Sequence, residues 1–197
     1  MAHPTWALGC GDEVWWSRRA PPNHHRWTDA EAKSTLQELT PPAGDPDPQA
    51  LVCYGLLVRL GPPQADEMWL RCVAGRPVSA LTSELLAWCS IQLVAQGFTA
   101  LLLIWDNASW HRSHAVQRWI RQRNRQVKQG AVGVRLVVCP LPSTSPGLNP
   151  IEPQWVHGKR AVSEADRLLR ADELEARVCA YYNCEREAHL VMPKKVA

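Results

Sequence analysis

Three acidic residues stand in settings where a folded chain would hold them close to apolar surroundings. Asp106 opens the segment DNASWH directly after the run Leu101-Leu102-Leu103-Ile104-Trp105, Glu152 lies within LPSTSPGLNPIEPQW at Leu141 to Trp155, and Asp12 lies within GDEVWW. Carboxylates brought by separate elements of one domain offer oxygen donors alone, the set that suits a hard divalent cation such as Mg²⁺ or Mn²⁺. Two such ions about 3.5 to 4 Å apart activate a water or a 3′-hydroxyl and stabilise the leaving oxygen of an in-line displacement at phosphorus. No His/Cys set with zinc spacing competes: Cys179 and Cys184 read as alone, and His24-His25 lie in a segment rich in breakers.

Each acid also has a local explanation. Asp106 follows a buried strand, where α/β folds place ligand-binding groups, but it could equally cap the next helix. Asn149-Pro150-Ile151-Glu152 fits Ncap, N1, N2 and N3, so Glu152 could close a capping box. Asp12 is harder to explain locally, because a strand Asp among aromatic residues is costly to bury unless it is paired, metal-bound or on an edge. Gathered together, the three would repel one another and raise at least one pKa unless cations sit among them.

The elements that must position these groups follow from apolar periodicity. Residues 6–17 read as a strand carrying Asp12 near its middle, and residues 18–49, with APPNHH and TPPAGDPDP, as an irregular insertion with one short helical stretch around 31–39. Strands are expected at 51–60 and 67–73, joined through Gly61-Pro62-Pro63 as an antiparallel hairpin. Thr82 is placed to cap a helix carrying Leu85, Leu86, Cys89 and Leu93, and Gly97 to end it. Residues 99–105 form a continuously apolar strand, covered on both faces. A helix over 111–129, a buried strand over 134–141, a helix starting near Asn149 and a last helix over 172–187 complete an α/β sheet with mixed strand directions.

Composition narrows the rest. A chain of 197 residues that is 46% hydrophobic buries one good core, so residues 1–197 are expected to form a single domain. The net charge of +3 permits a polyanionic partner. The odd count of seven cysteines, without a C-x-x-C pair, reads as reduced core residues, and the ten tryptophans mostly as core. The chain shows neither a leading signal segment nor an apolar run of membrane length, so a cytoplasmic protein, associated with the nucleoid if its partner is DNA, is expected.

GDEVWW, the DNASWH corner and the LP-x-x-SP-x-LNPIE-x-x-W pattern together resemble the three catalytic blocks of the Tc/mariner superfamily of DDE transposases, in its bacterial insertion-sequence branch. The resemblance implies a ribonuclease-H-like fold, a mixed five-stranded sheet flanked by helices with the first and fourth strands side by side. Asp12, Asp106 and Glu152 would be the DDE triad and the ligands of two Mg²⁺ or Mn²⁺ ions. The implied activity is hydrolytic nicking at the ends of a mobile element, then strand transfer into target DNA, with double-stranded DNA as partner and a homodimer as working form. The stretch between Asp106 and Glu152 is longer than is usual in the superfamily. No helix-turn-helix pattern precedes the blocks, which implies a separate N-terminal half, such as an upstream reading frame would encode.

DNA contacts are expected from the basic stretch Arg112, Arg118, Arg121, Arg123, Arg125 and Lys128, which contains no acid, and from Lys159 and Arg160. A solvated helix face explains the basic stretch as well. Asn107 and His111 could orient a water or a phosphate oxygen, and Asn107 could instead stabilise its turn. A ribonuclease H or junction-resolving nuclease, with Glu84 as an added carboxylate, is the rival enzyme; a transposase remnant that binds DNA without cutting it is the rival outside catalysis.

Overall fold

The computed structural model describes residues 3–19, 41–61, 65–143, 145–163 and 167–192. Five strands, β1 (Trp6–Ser17), β2 (Ala50–Arg59), β3 (Glu67–Val73), β4 (Ala100–Trp105) and β5 (Arg135–Pro140), form one sheet in the order β3-β2-β1-β4-β5. β1 pairs antiparallel with β2 and parallel with β4; β2–β3 is the antiparallel hairpin the sequence implies, and β4–β5 is parallel. The mixed sheet and the adjacency of first and fourth strands are as expected, and Asp12 therefore sits on the central strand rather than on an edge.

The strands read as unbroken apolar runs because both faces of the sheet are covered. On one face α1 (Ser79–Ala95) and α2 (His114–Lys128) pack Leu81, Leu85, Leu93, Val116 and Ile120 against Tyr54, Leu56, Leu101 and Leu103. On the other, α3 (Glu152–Val162) and α4 (Ala171–Tyr182) pack Trp155, Val162, Leu174 and Val178 against Cys10, Val14, Trp16 and Leu70. The two-residue side-chain alternation of a strand puts Cys10, Val14 and Trp16, and with them Asp12, on the α3/α4 face, while Ala7 faces α1 and α2. No described helix is long and apolar enough to cross a membrane.

Several boundaries differ from expectation for physical reasons. Helix α1 begins at Ser79, so Thr82 lies inside its first turn; the hydroxyl bonds Tyr54 Oη at 3.1 Å and the Val78 carbonyl at 3.3 Å instead of capping. Gly97, at φ 82°, follows the helix end as foreseen, a conformation that glycine adopts without strain. Helix α2 starts after Ser113, whose Oγ accepts from the Val116 N–H, which leaves His111 in the turn before it. Strand β5 is the sheet edge and only Leu136 within it is buried, so its apolar run is half-covered rather than central. The last helix stops at Tyr182 because Asn183 turns left-handed at φ 51°, five residues short of the expected end at 187.

The insertion is anchored where it leaves and rejoins the core. Arg18, 4% exposed, donates to the carbonyls of Leu169 and Asp47 and pairs with Asp45 at 2.8 Å, and the Asp47 carboxylate accepts from the Ala171 N–H at 3.0 Å. The short helix expected at 31–39 lies outside the described residues.

Candidate active site

Asp12 lies on β1 and Asp106 just past the end of β4, the parallel neighbour of β1. The parallel ladder between β1 and β4 runs to Cys10↔Ile104, and two residues further along each chain come Asp12 and Asp106, the latter just past the end of β4. Helix α3 supplies the third element. Trp155 sits 3% exposed against β2 and donates its indole N–H to Asp12 Oδ2 at 2.9 Å. Room for that ring exists because residue 55, paired with Asp12 across the β1–β2 ladder, is glycine: a Cβ there would fall 2.2 Å from Trp155 Cη2.

The entry to α3 is also tied to β1. Asn149 is 2% exposed and its Nδ2 donates to the Gly11 carbonyl at 3.1 Å. The capping box considered for this segment is therefore replaced: no side chain caps α3, Ile151 occupies the N-cap position, and Glu152 is the first helical residue. The Glu152 carboxylate is close enough to act on Asp12, whose pKa is pushed up from 3.8 to about 7 by burial first and by Glu152 second, against the lowering effect of the Trp155 N–H. Among the described residues, the three acids do not gather their oxygens within 4.8 Å of one another; Cys72, Glu175 and His189 are the group that does.

Asp106 is fixed differently. Its Oδ1 accepts from the Ala108 N–H at 2.9 Å, closing a local turn, and from His111 Nδ1 at 2.8 Å. The cap-like role and the site position thus coexist on one side chain. His111 is 4% exposed and lies flat on Trp105, with ring centroids 4.4 Å apart and planes 5° from parallel. Its other nitrogen, Nε2, is 2.8 Å from Glu13 Oε1, which also accepts from Trp110 Nε1 at 3.0 Å. Carboxylates at both ring nitrogens require an N–H on each, which is the imidazolium form. Burial opposes that charge, but the Glu13 hydrogen bond and the charges of Glu13 and Asp106 outweigh it and raise the His111 pKa.

This arrangement corrects the expectation for His111. Buried, with both nitrogens engaged, it is not placed to meet DNA; it connects Asp106 to a carboxylate buried on the opposite face of the sheet. Asn107 holds the loop, its Nδ2 donating to the Leu141 carbonyl. Arg112, Arg118, Arg121, Arg125 and Lys128 are exposed along α2 and its approach, whereas Arg123 folds back to the Val132 carbonyl at 2.7 Å. Arg160 is exposed and Lys159 half-buried in the last turn of α3. Glu84 is exposed on α1, the helix packed on the face opposite Asp12.

Glu13, Trp110, Trp155 and Gly55 escaped the sequence reasoning as site residues. The available signals were slight: an acid next to Asp12 must face the other way in a strand, and Trp155 follows Glu152 at a helical i,i+3 spacing.

A sheet of order β3-β2-β1-β4-β5, with an acid on its central strand and helices on both faces, is a ribonuclease-H-like fold. Residues 82–175, the segment holding Asp106 and Glu152, match the model of the DDE superfamily endonuclease family. The Mos1 transposase paired-end complex with left transposon end is similar with a TM-score of 0.60 and 14% identity, over 92% of this chain and 48% of that one. The Mos1 mariner paired end complex with Mn gives 0.60 and 14%, over 92% and 49%. The catalytic domain of Mos1 mariner transposase gives 0.51 and 12%, over 92% and 71%. The chain spans about half the length of the transposase chains in those complexes. No curated protein matches the sequence.

Proposed function

We propose that this chain is the catalytic part of a transposase of the insertion-sequence branch, cutting DNA strands at element ends and joining them to target DNA with Asp12, Asp106 and Glu152 as the metal-holding triad. The observation that carries the proposal is the approach of Glu152 to Asp12 on the central strand, next to the chain position of Asp106, within a fold shared with a transposase catalytic domain. The donor set fits a hard divalent cation: the groups that act on Asp12 are burial, Glu152, Trp155 and Glu13, none of them a cation. Mg²⁺ or Mn²⁺ bound there supplies positive charge to the attacking and leaving oxygens at phosphorus.

The chain's own contribution is placement. Trp155 fixes one oxygen of Asp12, His111 fixes one oxygen of Asp106, and Asn149 holds the α3 entry, and with it Glu152, against β1. The exposed cations of α2, with Lys159 and Arg160, receive the phosphate backbone of double-stranded DNA, and a separate N-terminal half and a second copy of the chain complete the working assembly.

Purified protein and its Asp106→Asn variant, incubated with supercoiled plasmid and Mg²⁺ or Mn²⁺, test the site. Wild type should convert the plasmid to the nicked form and the variant should not; equal nicking by both rejects catalysis here. DNA binding that persists in chelator with no breakage under either metal would instead identify a non-cutting DNA-binding protein.

A further inference from the structure

A second cluster of ligating side chains lies on the far half of the sheet, away from the three carboxylates. The segment after α4 returns along β3: the Leu190 N–H donates to the Cys72 carbonyl at 2.7 Å, the Ala74 N–H to the Leu190 carbonyl at 2.9 Å, and Arg71 to the Ala188 carbonyl at 2.8 Å. This pairing lays His189 beside Cys72, while α4 brings Glu175, 2% exposed, to the same place. A Cys72 sulfur, a Glu175 oxygen and a His189 nitrogen all lie within 4.8 Å of one another, with His189 Nε2 3.1 Å from Glu175 Oε1. Cys53, the cross-strand partner of Cys72, brings its Sγ to 3.1 Å from Cys72 Sγ. Cys179 and Cys184 are close enough to Cys72 to feel its charge, so they are not the isolated thiols the sequence suggested.

We infer that Cys53, Cys72, Glu175 and His189 form a structural zinc site, distinct from the DDE carboxylates. Two thiolates with an imidazole and a carboxylate are a borderline-soft set that selects Zn²⁺ over Mg²⁺. In a tetrahedral site with ligand bonds of about 2.0 to 2.3 Å, neighbouring donors stand roughly 3.3 to 3.8 Å apart, so the Glu175–His189 pair needs to open by a few tenths of an ångström and the two sulfurs by roughly 0.7 Å, with Cys53, which lies outside the 4.8 Å group, turning toward Glu175 and His189. The charges also balance: two thiolates and one carboxylate are met by Zn²⁺ and by the Arg186 guanidinium, which holds Glu175 Oε2 at 2.6 Å and stays there as an outer partner. The ion would join the β2–β3 hairpin to α4 and the chain that returns after it, two stretches of the protein distant in sequence. An ion pair of Glu175 with Arg186 and His189 explains the buried carboxylate alone; it gives no role to two buried thiols 3.1 Å apart.

The test is metal content and spectrum of the full chain prepared under reducing conditions. Wild type should hold one zinc per chain that excess Mg²⁺ does not displace, and cobalt substitution should give a thiolate-to-metal charge-transfer band with intense tetrahedral d–d bands. Cys72→Ser and His189→Gln should lose both, Arg186→Gln should weaken affinity by about 10- to 100-fold, and Cys139→Ser and Asp106→Asn should change neither. His189 is 38% exposed, so its variant keeps the test alive if Cys72→Ser does not fold. Substoichiometric zinc at saturation, a cobalt spectrum without the thiolate band, or a Cys53–Cys72 disulfide seen by mass would overturn the inference. Because Asp106→Asn leaves this metal in place, failure here is distinguishable from failure of the proposed nuclease.

Discussion

Replacing Asp12 by asparagine should stabilise the metal-free fold at alkaline pH while abolishing DNA cutting. Burial and the nearby Glu152 carboxylate push Asp12 from 3.8 up to about 7. Between those values the folded protein keeps a proton that the unfolded chain has released. Asp12 therefore costs the fold nothing at pH below about 4, costs progressively more as pH rises from about 4 to 7, and costs a constant amount above 7. At 1.36 kcal/mol per decade of proton affinity, the displacement from 3.8 to about 7 corresponds to a ceiling of about 4 kcal/mol. Asparagine has nearly the same shape, its amide oxygen still accepts the Trp155 N–H, and it carries no charge to repel Glu152. For a chain of this size, roughly 2–4 °C per kcal/mol translates the gain into a melting temperature higher by about 5 to 15 °C. The assay is thermal unfolding of both proteins in chelator near pH 4.5 and near pH 8.5, repeated with Mg²⁺. The variants should differ little at the lower pH, Asp12→Asn should lead at the higher, and Mg²⁺ should raise wild type far more than the variant. A variant no more stable than wild type at pH 8.5, or an advantage independent of pH, would refute the electrostatic account of Asp12.

Gly55→Ala should cost about 1 to 3 kcal/mol in urea unfolding, because its Cβ would fall 2.2 Å from a tryptophan that is 3% exposed and has no room to withdraw. It should also weaken metal-dependent nicking by displacing α3; unchanged stability and nicking would show that the Trp155 contact does not position the site. Glu13→Gln keeps the side-chain volume but removes the charge that steadies the His111 imidazolium and, through it, Asp106. Nicking should slow by about 10- to 100-fold while DNA affinity stays the same, and an unaltered rate would sink the proposed link between Glu13 and Asp106.

What could be read from the sequence is what local spacing controls. The strand carrying Asp12, the β2–β3 hairpin, the apolar β4 and the amphipathic helices follow from side-chain periodicity, a property of neighbours a few residues apart. The resemblance of GDEVWW, DNASWH and LNPIEPQW to three catalytic blocks added the adjacency of the first and fourth strands, now seen as the parallel β1–β4 ladder. The misplaced starts of α1 and α3 share one cause: Thr82 and Asn149 have capping chemistry, but Thr82 bonds Tyr54 on β2 as well as the Val78 carbonyl, and Asn149 bonds the Gly11 carbonyl on β1.

The partners of the buried polar groups were beyond local inference. Glu13 meets His111 across 98 positions, Trp155 meets Asp12 across 143, and the cysteine–glutamate–histidine cluster collects residues from β2, β3, α4 and the segment after it. A desolvated carboxylate or imidazole takes whichever partner the packed sheet and helices bring within about 3 Å, and that choice costs or stabilises by kcal/mol. Residue order thus determined which chemical groups each element carries and which face of a strand they occupy. Tertiary packing alone decided which of those groups meet, because the contacts that satisfy buried charge here are made between chain segments whose separation in sequence carries no periodic signal.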